Sequence, residues 1–357
     1  MPFYRPLNNR STEGKRTIER ILALRKQLDE EIPQKTAEKT MLLASWNIRE
    51  FDSRAYGDRV EEAYYYIAEI VARFDLIAIQ EVREDLEALN KLMSILGSNW
   101  SVIFTDVTEG TKGNGERMAF LYDKRKVRFG GLMGELVLPP VKIVNEAGKK
   151  EEVPATQVVR TPLMSGFRVG WTDFILTTVH ILYGESKANN PARVEEISQI
   201  AQFLKRRSED KYKWSRNLIL LGDFNIFKPS DNTMKAILDA GFVIPPELQS
   251  LPSNAIQNKY YDQIAFKVRP DKFGTTGKAG VFNFFKTVFR PEDEAIYVED
   301  MGPAYLTTSK GKPRVNTALY YKTYWRTFQM SDHLPMWVEL KVDYSEDYLE
   351  NKLNAKR

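Results

Sequence analysis

Short apolar runs separated by amphipathic stretches recur from Met41 onward, and this alternation constrains the chain more than any other feature. The runs predict strands over Met41–Ile48, Leu76–Gln80, Arg117–Tyr122, Phe174–His180, Leu218–Leu221, Gln263–Val268 and Met336–Val342. Between them, residues 58–74 place Val60, Ala63, Ile67, Ile70 and Val71 on one helical face. Residues 84–96 align Leu86, Leu89, Leu92 and Leu96 ahead of a capping Gly97, and a third helix is expected from Arg193 to Arg207. Strands alternating with helices define an α/β fold.

Ahead of this region, Ile18, Ile21, Leu22, Leu28 and Ile32 fall at roughly helical spacing until Pro33 stops the pattern. The expectation is a helix packed outside the main domain, with a leader that binds a protein partner through residues 1–40 as the alternative. No internal repeat, low-complexity tract or convincing linker follows residue 40. One catalytic domain is therefore expected at 41–342, between an N-terminal helical extension (1–40) and a C-terminal tail (343–357). Stretches 131–160 and 270–330 carry the Gly, Pro and charge punctuation of long loops or inserted hairpins.

With 43% hydrophobic residues, the 357-residue chain can bury a large core. The balance of 52 basic against 48 acidic residues does not by itself point to nucleic acid. No apolar run approaches the roughly 20 residues of a membrane span, since Phe174–Tyr183 is interrupted by Thr177, Thr178 and His180. The N-terminus has no apolar stretch of the kind a secretory signal needs, so a cytoplasmic location is expected. The absence of cysteine excludes disulfides, thiolate metal sites and cysteine nucleophiles. Carboxylate, amide and imidazole chemistry remain.

Polar motifs sit at the ends of the predicted strands. They are Trp46-Asn47-Ile48-Arg49, Gln80-Glu81-Val82-Arg83, His180, Gly222-Asp223-Phe224-Asn225, Tyr261-Asp262-Gln263 and Ser331-Asp332-His333. The chain has only two histidines, His180 and His333, and both lie in these motifs beside carboxylates. Phosphodiester hydrolysis gives a reason for such an inventory. Its transition state gathers negative charge on phosphoryl oxygens, which calls for cations or hydrogen-bond donors held in place beforehand. Hard carboxylate oxygens such as those of Glu81 and Asp332 suit Mg²⁺. A histidine paired with a carboxylate can hold or donate a proton near neutral pH.

In order and rough spacing, over residues 41 to about 342, these motifs resemble the endonuclease/exonuclease/phosphatase superfamily, and among its members most resemble deoxyribonuclease I. The resemblance implies a four-layer sandwich of two packed mixed β-sheets flanked by helices, with a cleft at one end of the sheets. It implies that Asn47, Glu81 and Asp332 form the metal-binding side, for Mg²⁺ or Mn²⁺. Glu116 would orient His180 and Asp262 would orient His333; Asp223 would orient or deprotonate the attacking water, and Asn225 would hold a phosphate oxygen. Which histidine protonates the leaving 3′-oxygen stays open, with His180 favoured. Arg83 matches a position that reaches the DNA minor groove, the plainer alternative being an ion pair with Glu84 or Asp85. Asn114 stands where an aromatic is expected, which weakens the case for stacking in a duplex minor groove.

The activity so implied is hydrolysis of nucleic acid, DNA more than RNA, to 5′-phosphate and 3′-hydroxyl ends. Between 270 and 330, Phe282, Phe284, Phe285, Phe289, Tyr320, Tyr321, Tyr324 and Trp325 interleave with basic residues. That composition suits single-stranded or distorted nucleic acid, or else a packed insertion whose rings are core. The clusters Lys124-Arg125-Lys126 and Lys205-Arg206-Arg207 read as solvated faces. Two rivals stand: a phosphatase or phospholipase acting on inositol phosphates or sphingomyelin, for which 281–289 would be a membrane-facing hairpin, and a non-catalytic binding module.

Overall fold

Strand β1 (Thr40–Phe51) sets the layering by alternation. Met41 and Leu43 point into one apolar cluster with Leu176, Leu220 and Ile264. Leu42, Ala44, Trp46 and Ile48 point the other way, into a cluster with Leu24, Ile67 and Leu92. A strand buried on both faces must lie inside a stack of layers, so the fold is at least three layers deep at this point.

The structure is a computed structural model describing residues 2–51, 53, 58–108, 115–144, 148–211, 213–269 and 273–354. The first half runs α1 (Thr12–Glu31), β1, α2 (Glu61–Ala72), β2 (Leu76–Val82), α3 (Glu87–Leu96), β3 (Trp100–Phe104), β4 (Arg117–Asp123), β5 (Arg128–Glu135), β6 (Val141–Val144) and β7 (Lys150–Val153). The second half runs β8 (Leu163–Val169), β9 (Thr172–His180), α4 (Pro191–Glu209), β10 (Leu218–Asp223), α5 (Asn232–Asp239), β11 (Asp262–Lys267), β12 (Gly274–Val281) and β13 (Met336–Lys341). Short helical turns fill 284–329, and a helix at Ser345–Asn354 follows.

One sheet has the order β12-β13-β1-β2-β4-β3 and the other β11-β10-β9-β8-β5. Both are mixed, with β1 parallel to β2 and β9 parallel to β10 among antiparallel neighbours. Helices α1 to α3 cover the first sheet, and α4 and α5 cover the second, which makes four layers.

Helix α1 begins at Thr12, earlier than its apolar pattern indicates, because the Ser11 hydroxyl accepts from the Gly14 amide and caps it. Its apolar stripe, Ile21, Leu24 and Leu28, is covered within the chain. Arg16 donates twice to the buried Glu62 of α2, Arg20 pairs with Asp293 and Arg25 with Glu69.

Several elements differ from the apolar-run reading. Strands β3, β5, β8 and β12 were not in that pattern, and helix α5 was not either. Strand β5 is half exposed and carries Gly130, where a Cβ would come within 2.4 Å of the Trp214 ring, so close packing replaced the apolar signature. Strand β12 is a sheet edge built from small and polar residues, as edges that resist further pairing often are. Within 131–160, β6 and β7 form a hairpin. Between 282 and 325 the rings divide: Phe282, Phe284, Phe285, Phe289, Tyr321 and Trp325 are buried, whereas Tyr320 is half-buried and Tyr324 exposed. Residues 281–289 therefore form no exposed aromatic hairpin. Lys126 is not on a solvated face either, because its ammonium pairs with the buried Asp75, 2.9 Å away.

Candidate active site

The parallel pairs bring four strand ends to one edge. Asn47 aligns with Gln80, and His180 with Asp223. The two sheets are pinned beneath that edge by Gln80 Nε2, which donates to Thr178 Oγ1 at 2.8 Å. The alternation that sends Met41 and Leu43 between the sheets also aims Asn47 there, at the open end.

Glu81 reaches the same cleft by a different route. Alternation would place it with Ile77 and Ile79 on the helix-covered face. Instead its backbone is left-handed, with φ 62°, and the ladder to β4 skips between Ile79 and Val82. This is a β-bulge that re-aims one side chain. The turned carboxylate accepts from Asn47 Nδ2 at 2.8 Å and from the Glu50 amide at 2.8 Å, and Glu50 is itself left-handed at φ 49°. Two strained non-glycine residues facing one carboxylate mark a place where position outweighs local comfort.

Asp223 lies at the centre. Its Oδ1 accepts from the Asn225 amide at 2.8 Å, and its Oδ2 accepts from Asn47 Nδ2 at 3.1 Å. The same Oδ2 lies 3.5 Å from His180 Nε2 and 3.7 Å from His333 Nε2. Gly222 makes this approach feasible. At φ 133° a Cβ there would sit 2.1 Å from the Val179 carbonyl oxygen on the neighbouring strand. Gly222→Ala is expected to lower stability by more than about 2 kcal/mol, through strain and a forced strand separation. Equilibrium denaturation checks it, and an unchanged midpoint would contradict the close approach.

Each histidine is oriented from behind. His180 Nδ1 lies 2.7 Å from Glu116 Oε2, and His333 Nδ1 lies 2.8 Å from Asp262 Oδ2. Burial opposes charge on both rings, yet the carboxylates outweigh it. Glu116 holds the His180 pKa above its usual value, and Asp262 with Asp223 holds that of His333 well above. Ser331 ties this group together: its Oγ donates to the Asn47 carbonyl at 2.6 Å and accepts from the His333 and Arg49 amides. The Tyr261 ring packs on the His333 ring at 5.3 Å.

Arg160, Ser331 and Tyr261 were given no role in the sequence reading. Arg160 is buried with its Nε 2.9 Å from Glu116 Oε2, so the carboxylate that orients His180 is itself clamped. Nothing in the sequence singles out this arginine, because its place is defined only through Glu116. Asn225, left-handed at φ 53°, spends an Nδ2 hydrogen on the Ile181 carbonyl at 2.8 Å. Arg83 pairs with Glu50 at 3.3 Å and approaches Glu116 at 3.8 Å, rather than Glu84 or Asp85. Its guanidinium thus faces the cleft carboxylates Glu50 and Glu116. Asn114 lies outside the described residues.

Behind the His180 side, Glu196 of α4 is buried, and burial pushes its carboxyl up to about 7 against the opposing pull of Arg160 and His180. A carboxyl whose folded pKa exceeds its unfolded value near 4.5 binds its proton more tightly when folded. Stability is then full at acidic pH and falls as pH rises from about 4.5 to about 7, by on the order of 3 kcal/mol. Glu196→Gln is expected to flatten that decline in denaturant titrations between about pH 5 and about pH 8. An unchanged slope would contradict the raised carboxyl.

Among the described residues, two groups could hold a cation. Asp223, Asp262 and His333 place ligand atoms within 4.8 Å of one another and are all buried. There, however, Asp262 and His333 are already bonded to each other. Asn47, Glu81 and Asp332 fit a hard cation better on two observations. Asn47 Oδ1 is buried with no hydrogen-bond partner. Burial, with repulsion from Glu116 and Asp332, raises the Glu81 pKa although His180 opposes it, and a cation would relieve that strain.

Comparison with known proteins gives concordant results. The family model for the Endonuclease/Exonuclease/phosphatase family matches residues 44–236. A curated protein called Deoxyribonuclease, from Thioalkalivibrio sp. (strain K90mix), is 32% identical over 205 residues, covering 55% of this chain and 50% of that protein. The chain thus spans about half the length of the curated relative it matches. An endonuclease/exonuclease/phosphatase family protein from Bacteroides thetaiotaomicron superposes with a TM-score of 0.51 at 19% identity, covering 85% of this chain and 98% of the other. D. rerio TDP2, complexed with single strand DNA product, superposes with a TM-score of 0.51 at 14% identity, covering 84% and 98%. At these identities the two structures establish the fold.

Proposed function

The chain belongs to the Endonuclease/Exonuclease/phosphatase family, and from that premise we propose that it is a divalent-metal-dependent nuclease cleaving phosphodiesters, DNA in preference to RNA, to 5′-phosphate and 3′-hydroxyl ends. One observation carries this reading: both imidazoles of the chain turn Nε2 toward a single oxygen of Asp223, while each spends Nδ1 on its own carboxylate. A scaffold has no physical need for two such pairs around a third buried carboxylate. The curated relative called Deoxyribonuclease supports nucleic acid as the substrate class.

In this mechanism Asp223 orients the attacking water and accepts its proton. Water oxygen bonds to phosphorus, the bond from phosphorus to the 3′-oxygen breaks, and the departing oxygen takes a proton from an imidazolium. His180 is assigned that role. His333, held charged more firmly by Asp262 and Asp223, is suited to fixed stabilisation of phosphoryl oxygens, with Asn225 beside it. Glu116 and Asp262 are positioning residues. Asn47, Glu81 and Asp332 would hold Mg²⁺ or Mn²⁺, which when bound supplies Lewis-acid stabilisation of the phosphoryl charge. Arg83 stands at the cleft's side, where it would meet the nucleic-acid backbone.

The burial of Phe282, Phe284, Phe285 and Phe289 removes the membrane-facing hairpin that a sphingomyelin-type substrate would call for. Among the described residues no helix is long and apolar enough to cross a membrane. The test is a panel of plasmid DNA, single-stranded oligonucleotides, RNA, inositol phosphates and sphingomyelin, with Mg²⁺ or Mn²⁺ and with chelator. Cleavage of DNA that chelator stops is expected. Turnover confined to inositol phosphates or sphingomyelin would replace this reading with the phosphatase or phospholipase one.

A further inference from the structure

We propose that Glu50 is a specificity-determining residue: its carboxylate holds Arg83 in the place of a backbone phosphate, and a bound nucleic-acid strand must displace it. This deepens, and rests on, the nuclease reading above.

Arg83 Nη2 lies 3.3 Å from Glu50 Oε2, and Arg83 Nη1 lies 3.8 Å from Glu116 Oε1. The hydrogen-bonding capacity of this contact is nevertheless unspent. Among the described residues, neither the buried Glu50 Oε2 nor the buried Arg83 Nη1 makes a hydrogen bond. The guanidinium is held there by charge, without the paired N–H bonds of a well-made fork on a carboxylate. With the side chains of Glu50 and Arg83 only 23% and 22% exposed, that attraction is screened less than at an open surface.

Nothing in the backbone asks for a glutamate at position 50. Its amide donates to Glu81 Oε2 at 2.8 Å, and its φ of 49° is left-handed. Any residue but proline supplies the amide, and glycine or asparagine takes that φ at less cost. What glutamate adds is a carboxylate, in a cleft that already holds Glu81, Glu116 and Asp223 and is read as taking an anionic strand. Such a charge opposes binding of the strand, and its partner is the arginine that would otherwise favour it. Discrimination commonly uses an element of this kind, which weakens every ligand unable to offset it.

The phosphate that offsets it is not the scissile one. Glu116, which Arg83 approaches, lies on the Nδ1 side of His180, whereas Asp223 is met by Nε2. Arg83 is therefore set back from the reacting centre, where a strand brings a neighbouring phosphate. A guanidinium released from Glu50 can give that phosphate the paired N–H bonds it does not make now. A ligand whose single phosphate occupies the centre has nothing to offer it.

The test measures binding in chelator, so that no strand is cut, by fluorescence anisotropy of a labelled single-stranded DNA oligonucleotide. A dinucleotide, whose one phosphate is the scissile one, is measured by competition. Glu50→Gln keeps the shape without the charge and should bind the oligonucleotide roughly 2- to 10-fold more tightly. The slope of log affinity against log salt should steepen by about one, because a phosphate counterion is released and no cation is taken up at Glu50. Glu50→Asn, which suits the left-handed backbone, should do the same. Arg83→Ala added to Glu50→Gln should remove the gain, and the dinucleotide should be bound alike by wild type and Glu50→Gln. The assignment is overturned if Glu50→Gln matches wild type on the oligonucleotide, if the gain survives the loss of Arg83, or if the dinucleotide gains equally. Those outcomes leave metal-dependent cleavage of DNA untouched, whereas turnover confined to inositol phosphates or sphingomyelin sinks the nuclease reading and this assignment with it.

Discussion

Asp223→Asn and His180→Ala are each expected to slow phosphodiester hydrolysis by roughly 10³- to 10⁴-fold, the upper range for removing a positioned acid or base. The size follows from geometry. Asp223 Oδ2 is the atom that Asn47 and both imidazoles share, so in the proposed mechanism losing its charge removes the water's proton acceptor, and with it the anion that helps keep His333 protonated. Asparagine preserves the shape and can still accept from the Asn225 amide. His180→Ala leaves Glu116 paired with Arg160, so no buried charge is stranded. Initial rates on a DNA substrate, with thermal unfolding as a control on folding, check both variants. If both cut like the parent, the site is elsewhere.

Removing the divalent cation should have an effect of similar size, since Lewis-acid stabilisation of a phosphoryl transition state is worth several kcal/mol. Chelator is expected to lower cleavage more than about 10³-fold, with Mg²⁺ or Mn²⁺ restoring it. A second readout does not depend on turnover. A ligand that binds only the folded state at 100 times its Kd stabilises by about 2.7 kcal/mol, so Mg²⁺ titration should raise the unfolding midpoint. Glu81→Gln relieves repulsion from Glu116 and Asp332 and so should stabilise the metal-free protein. It should also abolish most of the Mg²⁺-dependent rise. A midpoint indifferent to Mg²⁺ in wild type, or equally responsive in Glu81→Gln, would remove Glu81 from the cation site.

The central strands and the polar residues at their ends were legible because parallel strands must present their C-terminal ends together. His180 and Asp223 stand at two such ends, and the structure aligns them in register on β9 and β10. Glu81 is different. Its place at a strand end was read as that of a hard-cation ligand, but only a bulge at a non-glycine residue turns it away from Ile77 and Ile79, and no local sequence signal announces that turn. Arg160 was invisible for another reason: its significance lies wholly in a tertiary contact with Glu116, across 44 residues of chain. The 270–330 stretch was read as one alternative or the other, whereas its rings divide between core and surface according to helical face. Strand β5 escaped notice because Trp214 packs against glycine backbone there, so burial left no apolar side chains to count.

The proposed attack of water at phosphorus, assisted by Asp223 and completed by an imidazolium, would leave an isotopic mark. A single-turnover cleavage of a DNA oligonucleotide in ¹⁸O-labelled water, with Mg²⁺ present and products read by mass spectrometry, tests it directly. One ¹⁸O atom in the new 5′-phosphate and none in the 3′-hydroxyl is the expected result. A 3′-phosphate product, or label in the sugar hydroxyl, would contradict it.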